Sequence, residues 1–423
     1  MHILVLPSEE YVPSYAPMAG IFQRHQIEAL RATGRGERIG VLSVRLRHSL
    51  PMYLKTIALR LVGKRAGNAL DQVGTLTLAS CLLKRLTSSH SMVSCEEIAE
   101  TPVVRIEGLY LTPPSDRCDH LWWCRAGRAG FRFYVSKYGQ PDIIHAHNSL
   151  PAGFLAQWIE AKYGVPYVLS EHSSYYHQGL IPSALFPAIT QVLAKSSAIL
   201  PVSDALTNSL ETRLGTLPHP PIVIGNVIPP FFLQEVAQTN KADRVTLLTV
   251  GSLLPIKNQA SLLDALAEID GPNLRIVGDG PLLEELKARA ARLGLEDRVT
   301  FLGQLDQDGV RSEMLAADAL VFPSSFETFG VVLIEAMSCG LPVLAIASGG
   351  PEEIVTPKSG FLVNPGDHAG LVSAITEFMS QPDLFDSGAI RAEALARFGP
   401  DVFCTQLRET YQRALALNLQ KSL

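Results

Sequence analysis

The chain has 423 residues, of which 47% are hydrophobic and 18% charged, and its formal net charge is −5 at pH 7. This length is sufficient for two domains with separate cores, and the composition excludes a disordered chain. The acidic balance argues against a protein that binds duplex nucleic acid, because such a protein needs a basic face.

The spacing of the cysteines and the N-terminal sequence indicate the cellular compartment of the protein. Six cysteines lie far apart in the sequence, with neither a Cys-x-x-Cys pair nor a zinc-binding spacing. The opening apolar run, residues 3–6, is too short for a signal peptide, and no basic segment precedes it. No uninterrupted apolar stretch reaches the length of a membrane-spanning helix. We therefore expect a cytoplasmic protein without a disulfide framework.

The first half of the chain alternates short apolar runs with helical periods, which predicts a parallel sheet with helices on both faces. Strands are predicted at residues 3–6, 38–44, 103–107, 141–146, 165–170, 197–202 and 221–224. Helices are predicted between them, for example one that ends at residue 32 and others at 152–163 and 206–214. We place the first domain at residues 1–230.

Two basic, apolar segments in this half leave two interpretations open. Residues 53–65 and 121–137 mix Arg and Lys with aliphatic and aromatic side chains. This composition suits a membrane interface that carries anionic lipid, or amphipathic helices that cover the sheet with basic outer faces, and we favour the second. Gly127 and Gly130 argue against a regular helix in the later segment.

The second half begins after residues 228–241, where two prolines and a polar tail are typical of a linker. Strands are predicted at 245–250, 274–277, 299–302, 319–322 and 343–346, with a helix at 282–293. This pattern predicts a second doubly wound domain, which we place at 241–400. A long amphipathic helix is predicted from residue 401 to about residue 417.

The stretch from Val321 to Ala345 carries the clearest chemical signal. A strand is followed by a polar turn, and a helix is predicted at 329–338, with Gly340 ending it. Ligands of an open parallel sheet lie off the carboxyl ends of the strands, over the helix N-termini. Free backbone N–H groups at this helix start predict an anion site, best suited to a phosphate, at Thr328, Phe329, Gly330 and Val331.

Three charged side chains accompany this predicted phosphate site. Glu327 in the turn and Glu335 in the helix would repel a phosphate, but carboxylates accept hydrogen bonds from sugar hydroxyls. Lys257, which follows a strand and precedes a helix, can place its ammonium group on a diphosphate. Together they suit a nucleotide sugar, whereas the alternative is that all three are solvated surface residues.

The motif Phe326-Glu-x-Phe-Gly-x4-Glu-Ala-x-x-Cys-Gly-x-Pro-Val343 resembles the signature of the family-four retaining glycosyltransferases of the GT-B fold. The resemblance implies an α/β protein with two facing, Rossmann-like, doubly wound domains and an interdomain cleft. It also implies an acceptor-binding first domain, a donor-binding second domain, and a final helix, residues 401–423, that packs back on the first. The implied reaction moves a sugar from a nucleoside diphosphate to an acceptor hydroxyl, without a metal or another cofactor.

The resemblance implies further donor-binding positions. The turn Gly278-Asp-Gly280 would lie near the nucleotide, and the backbone at Leu302 would face the base. Ser252 stands where the family usually has an arginine, so stabilisation of the diphosphate by charge is left to Lys257 and the helix dipole. The turn lacks the third glycine of the dinucleotide fingerprint, because Leu283 occupies that place, which counts against a dehydrogenase.

In the first domain the resemblance assigns His172 to the transferred sugar and Gly20 to a loop that approaches the donor or the acceptor closely. His145 and His147 share one face of a strand, but no third metal ligand has a suitable spacing, so we interpret them as structural or cleft-lining residues. Asp306, in the sequence Asp-Gln-Asp, is placed to cap a helix rather than to bind a metal.

The sequence therefore predicts a retaining glycosyltransferase with His172, Glu327 and Lys257 in catalytic roles. Its partners would be a nucleotide-sugar donor and a glycan or lipid-linked acceptor of surface polysaccharide or glycolipid synthesis, with no nucleic acid. Contact with the inner membrane face as a peripheral protein is an additional expectation. Three other classes stay open: a sugar-nucleotide epimerase, an inactive relative that binds nucleotide sugars, and a dehydrogenase.

Overall fold

The computed structural model describes residues 1–12, 20–34, 36–61, 93–110, 119–234, 244–381 and 383–422. The chain divides into two compact units. The first consists of Met1–Pro201, Ser209–Ile222 and Leu407–Leu423, and the second of Val202–Asn208 and Val223–Gln406. Each unit is built on its own largely parallel sheet, as predicted.

The first unit holds a seven-stranded sheet in the order β3-β4-β2-β1-β5-β6-β7, parallel except for the β3–β4 pair. The strands are β1 (His2–Leu6), β2 (Arg38–Ser49), β3 (Val93–Ile98), β4 (Thr101–Tyr110), β5 (Ile143–His147), β6 (Tyr167–Glu171) and β7 (Ala198–Pro201). The helices are α1 (Ile21–Ala32), α2 (Leu50–Leu61), α3 (Asp119–Tyr138), α4 (Phe154–Tyr163), α5 (Tyr175–Gln178) and α6 (Phe186–Lys195). Helix α7 (Asp204–Leu214) belongs to this unit from Ser209 onward, and its residues up to Asn208 belong to the second unit. Strands β1, β5, β6 and β7 are buried throughout, which explains their continuous apolar sequences.

One strand prediction in this unit was wrong, and one strand was missed. Residues 221–224 form no strand, because Pro220 and Pro221 have no N–H group to donate and a single backbone bond joins Ile222 N to Ile199 O. Strand β3 was not predicted at all. It pairs with β4 across a tight turn at Ala99 and Glu100, whose positive φ angles of 45° and 60° are more usual for Asn-Gly.

Helix α3 is continuous, so the expectation that its glycines would interrupt it was wrong. A Cβ atom at Gly127 would lie 2.5 Å from a methyl group of Leu155, and one at Gly130 would lie 2.7 Å from a methyl group of Leu42. The glycines therefore allow the helix to pack closely on α4 and β2. The helix is amphipathic and covers the sheet, while the end of the other basic segment, after residue 61, lies outside the described residues. Among the described helices, none is long and apolar enough to span a membrane.

The second unit holds a six-stranded parallel sheet in the order β10-β9-β8-β11-β12-β13. The strands are β8 (Thr246–Val250), β9 (Asn273–Val277), β10 (Val299–Gly303), β11 (Ala319–Phe322), β12 (Val343–Ile346) and β13 (Gly360–Val363). The helices are α8 (Gln259–Ala267), α9 (Leu283–Arg292), α10 (Gln307–Ala316), α11 (Val331–Ser338), α12 (Gly350–Ile354), α13 (His368–Ser380) and α14 (Ser387–Phe398). Helix α15 (Pro400–Ser422) begins in this unit, and its residues from Leu407 onward belong to the first unit. Only β13 of these strands was missed by the sequence, since it is short and begins with glycine.

Strand order reverses once in each sheet, and these reversals position the candidate sites. Successive strands extend outward in opposite directions from β1 and β5 in the first sheet, and from β8 and β11 in the second. At such a point the crossovers leave on opposite faces of the sheet, so a crevice opens beyond the carboxyl ends of the two strands. The segments that follow β1, β5, β8 and β11 are therefore the first places to look for ligand-binding residues.

Candidate functional site

The crevice beyond β8 and β11 brings together two residues that the sequence places 70 positions apart. Lys257 Nζ lies 2.5 Å from Glu327 Oε2, and the side chains keep only 24% and 17% of their surface exposed. The same ammonium group lies 5.5 Å from the centre of the Phe322 ring. Lys257 is thus held in the crevice by a carboxylate and an aromatic face.

Backbone hydrogen bonds fix the position of Glu327. Its N–H donates to Ser348 O at 3.0 Å, and Gly350 N donates to its carbonyl at 2.9 Å. Gly350 must be glycine, because a Cβ atom would lie 2.2 Å from Phe329 O. The turn that follows β12 therefore clamps the turn that follows β11, and the Glu327 side chain extends from a rigid backbone.

Helix α11 begins two residues later than predicted, at Val331, because Gly330 adopts a φ of 99° that ends the preceding turn. No side chain caps this N-terminus, so the N–H groups of Val331 and Val332 are available to a ligand, whereas that of Leu333 donates to Gly330 O at 2.9 Å. The Phe329 side chain is 3% exposed and packs against Phe398 at 5.8 Å, so only its backbone can contribute. Thr328 is partly exposed, and its carbonyl accepts a bond from Ser203 Oγ.

Glu335 lies one turn further along α11 and keeps part of its surface exposed. Burial of the rest among protein atoms raises the pKa of its carboxyl group to about 7. Within the part of the chain that the structure describes, neither a cation nor a hydrogen-bond donor is paired with this carboxylate. An acceptor group in this situation is desolvated without compensation, which makes it ready to receive hydroxyl donors.

The glycines of the second unit allow neighbouring loops to interlock. A Cβ atom at Gly278 would lie 1.9 Å from Gly251 O, and one at Gly280 would lie 2.6 Å from Leu253 O. These contacts join the segments after β8 and β9 into one wall beside Lys257. Ser252 is exposed on that wall, and Leu302 lies in β10, partly buried.

The crevice of the first sheet opens into a cavity of about 540 Å³. Its walls are mostly apolar and aromatic, with polar groups gathered near the ends of β5 and β6. The lining includes Phe22, Trp123, Glu171, His172, Tyr176 and Leu180. A concave, mainly apolar pocket with a few convergent polar groups is the usual form of a small-molecule site.

His172 lies in the wall of this cavity and is held on three sides. Its Nε2 lies 3.1 Å from His147 Nδ1, its ring centre lies 4.4 Å from that of Phe22, and its backbone N–H donates to Asn148 Oδ1 at 2.9 Å. Asn148 in turn donates to Ser8 Oγ at 2.9 Å, which joins the ends of β1, β5 and β6. Burial lowers the pKa of His172 to about 3, so the imidazole is neutral at physiological pH.

Glu171 is a site residue that the sequence analysis did not identify. It is fully buried, and burial raises the pKa of its carboxyl group. Its oxygens accept bonds from the backbone N–H groups of Ser149 at 2.9 Å and of His172 and Ser173 at 3.2 Å. The only sequence signal was its place beside His172 at the end of a predicted strand. Its role here is to shape the loop that carries His172.

His145 has the structural role that was predicted. Its Nε2 lies 2.8 Å from Ser170 Oγ and its Nδ1 lies 2.8 Å from Tyr411 Oη, so hydroxyl groups occupy both ring nitrogens. Among the described residues, no group of three His, Cys, Asp or Glu could hold a metal ion. Asp306 caps α10, as expected, because its Oδ1 accepts a bond from Gly309 N at 2.9 Å.

Gly20 adopts a left-handed conformation, with φ at 63°, and precedes α1. An ideal Cβ atom there would lie 3.8 Å from Glu9 Oε2, a residue that lines the cavity. The rest of the predicted glycine loop, residues 13–19, lies outside the described part of the chain.

Two family profiles match the chain: "Glycosyltransferase Family 4" at residues 75–230 and "Glycosyl transferases group 1" at residues 233–394. A D-inositol 3-phosphate glycosyltransferase of Catenulispora acidiphila is 30% identical over 313 residues, which cover 66% of this chain and 72% of the relative. Sucrose-phosphate synthase from Thermosynechococcus elongatus superposes with a TM-score of 0.74 at 21% identity, over 99% of this chain and 100% of that one. The Anabaena protein HepE, in complex with UDP-glucose, superposes with a TM-score of 0.65 at 21% identity, over 97% and 99%.

Proposed function

The chain belongs to the group 1, family-four glycosyltransferases of the GT-B fold, and from this premise we propose that it transfers a sugar from a nucleoside-diphosphate sugar to an acceptor hydroxyl with retention of configuration. The observation that carries the proposal is the partly buried carboxylate of Glu335, which has no partner in the described part of the chain and lies one helical turn behind an uncapped helix N-terminus. That arrangement suits a ligand with hydroxyl groups and a diphosphate.

In this proposal each end of the donor has its own partners in the second unit. Glu335 accepts hydrogen bonds from the ribose hydroxyls, and the first-turn N–H groups of α11 bind the diphosphate. Glu327 accepts from hydroxyls of the transferred sugar. The complex of the Anabaena neighbour with UDP-glucose supports a nucleoside-diphosphate sugar as the class of donor.

Negative charge grows on the diphosphate as the bond from the anomeric carbon to the phosphate oxygen breaks. The Lys257 ammonium and the N-terminus of α11 offer fixed positive charge for that oxygen, which would stabilise the transition state more than the ground state. The ion pair with Glu327 keeps the ammonium in place before the donor arrives. We propose that no metal or cofactor is needed, because these groups supply the charge that a metal would.

Retention follows most simply from a displacement on one face of the sugar. The bond from the anomeric carbon to the acceptor oxygen forms on the face from which the phosphate departs, and the acceptor proton passes to a departing phosphate oxygen. Glu171 lies in the first-unit cavity but is a poor nucleophile, since its oxygens already accept three backbone N–H bonds. We assign the sugar contact of the first unit's cavity to His172 rather than to a carboxylate.

The cavity in the first unit is the proposed acceptor site. Among the described lining residues, Glu9 and Glu171 carry the carboxyl groups, and burial keeps His172 neutral. Such a site disfavours an anionic acceptor group and favours a neutral hydroxyl compound with an apolar face, such as a glycan or the sugar of a glycolipid. Leu180 and Tyr175, which are more than half exposed at the cavity, would contact that apolar face.

Contact with an anionic membrane surface is a further part of the proposal. Arg125, Arg128 and Arg132 are exposed on the outer face of α3, and Arg128 lies 5.1 Å from the centre of the Trp158 ring. Sedimentation with phosphatidylglycerol vesicles should retain the wild-type protein, and replacement of the three arginines by glutamine should release it. Equal sedimentation with vesicles of zwitterionic lipid would contradict this part.

A thermal-shift screen of UDP-, GDP- and ADP-sugars tests the donor class, since a bound ligand raises the melting temperature by mass action. The stabilising donor is then incubated with simple sugar and alkyl-glycoside acceptors, and NMR of the product gives its anomeric configuration. Conversion of the donor to its epimer without an acceptor would identify an epimerase instead. Donor binding without transfer would favour an inactive relative, an alternative that stays open because Ser252 is exposed where the family usually has an arginine. Stabilisation by NAD alone would indicate a dehydrogenase.

A further inference from the structure

His147 lies directly behind His172 and has no assigned role. Its side chain is 1% exposed, at the end of β5, and its Nδ1 lies 3.1 Å from His172 Nε2. On its other side the ring stacks on that of His145, with centres 4.4 Å apart and planes inclined by 28°. His147 is therefore a buried imidazole whose orientation is fixed by packing on His145. Its hydrogen-bonding contact is with His172, the histidine that lines the cavity.

The contact restricts the protonation of His172. Two neutral imidazole nitrogens at hydrogen-bonding distance share one proton, so one ring must donate and the other accept. Burial keeps both rings neutral, since it lowers the pKa of His172 to about 3 and that of His147 well below its usual value. Whichever ring donates, the tautomer of His172 is coupled to that of His147.

The other ring nitrogen of His172 is the one left for a ligand. Nδ1 is buried and has no hydrogen-bond partner among the described residues, although His172 lines the cavity. Buried polar atoms without a partner are uncommon and costly, which indicates that a ligand or water completes this one. Phe22 packs against the ring at 4.4 Å and restricts its rotation, while Asn148 holds the backbone N–H of His172.

We propose that His147 is a positioning residue, whose hydrogen bond fixes the ring and the tautomer of His172 so that Nδ1 presents one defined hydrogen-bonding group to the substrate. The inference rests on the proposed function only in naming the substrate a sugar. His145 cannot take this role, because Ser170 and Tyr411 occupy its nitrogens.

Two substitutions test the positioning role. His147→Phe keeps a ring that can stack on His145 but removes the hydrogen bond, and His147→Asn keeps an amide near the position of Nδ1. We expect His147→Phe to lower kcat about 10- to 100-fold, because a misplaced catalytic group loses rate steeply. Donor affinity should be unchanged, and His147→Asn should recover most of the rate.

A double variant separates positioning from general damage to the fold. In a His172→Ala background, His147→Phe should lower kcat little further, since the residue through which it acts is gone. Wild-type kcat in His147→Phe, or an equal loss of kcat with and without His172, would overturn the proposal.

The NMR spectrum of ¹⁵N-histidine-labelled protein gives a readout that needs no turnover. The His172 signals, assigned by their loss in His172→Ala, should show one neutral tautomer in the wild type and a mixture of tautomers in His147→Phe. The same mixture in both proteins would overturn the inference even if transfer is observed. A protein that transfers no sugar but shows the expected change of tautomer would contradict the proposed function and leave this inference standing.

Discussion

Replacing Glu335 by glutamine should stabilise the free protein at high pH while weakening its binding of the donor. Glutamine keeps the shape of the side chain but removes the charge that burial disfavours. In the free protein the carboxylate is partly buried without a cation, which raises its pKa from 4.5 to about 7. The charged form therefore destabilises the folded state until a ligand donates hydrogen bonds from its hydroxyl groups.

The sign and size of the effect follow from this pKa. Below pH 4.5 the carboxyl group is protonated in both the folded and the unfolded states and has no effect on the free energy of unfolding. Between pH 4.5 and about 7 the unfolded chain loses the proton first, so stability falls as pH rises, and above that range the full cost applies. At about 1.4 kcal/mol per pH unit, the cost is roughly 3 kcal/mol, an upper value because the side chain is partly exposed.

The assay is thermal unfolding of the wild type and Glu335→Gln at pH 5 and pH 8, with donor affinity measured on the same samples. The melting temperature of the variant should exceed that of the wild type by about 5–10 °C at pH 8, and by much less at pH 5. Glu284→Gln, which changes an 82% exposed carboxylate on α9, serves as the control and should have no such effect. A stability difference that is absent at pH 8, or the same at both pH values, would refute the reasoning.

Three other substitutions test the candidate site and the packing of the two turns that hold Glu327. His172→Ala should lower kcat while donor affinity stays close to that of the wild type, as steady-state kinetics and titration would show; equal losses in both would contradict its place on the acceptor side. Lys257→Ala should raise the Kd for the donor at least about tenfold, because it removes the positive charge next to the diphosphate and leaves Glu327 without its cation. Calorimetric titration at two salt concentrations measures the change, and an unchanged Kd would contradict the role assigned to Lys257. Gly350→Ala should destabilise the second unit by about 1–3 kcal/mol in urea, because the new methyl group would lie 2.2 Å from Phe329 O, and a neutral result would contradict the close packing of the two turns.

The elements of the second unit were largely predictable because its central strands β8, β11 and β12 are buried and pair in parallel. Such strands are continuous apolar runs, and glycine or proline marks where each ends. The edge strands of both sheets were less predictable. In the first unit, β3 turns into β4 at Ala99 and Glu100 rather than at the usual Asn-Gly. In the second unit, β13 has only four residues and begins with glycine, so it carries little apolar pattern.

Helix α3 covers the sheet, as the favoured interpretation expected, but the expectation that its glycines would interrupt it was wrong. Propensity alone makes Gly127 and Gly130 unfavourable in a helix. Their neighbours decide otherwise, since Leu155 and Leu42 occupy the space where side chains would be. A glycine in a helix can therefore indicate close packing, which the sequence cannot distinguish from a break.

The sequence by itself determined the class of fold, the family and the residues that could hold a nucleotide sugar, because these depend on local pattern and on a motif of fixed spacing. Only the tertiary structure decided that Lys257 and Glu327 form an ion pair, that Glu335 is partly buried without a partner among the described residues, and that His147 contacts His172. Each of these depends on which strand ends become neighbours when the sheets form, and on how much water the surrounding atoms exclude. Neither quantity is contained in the spacing of residues along the chain.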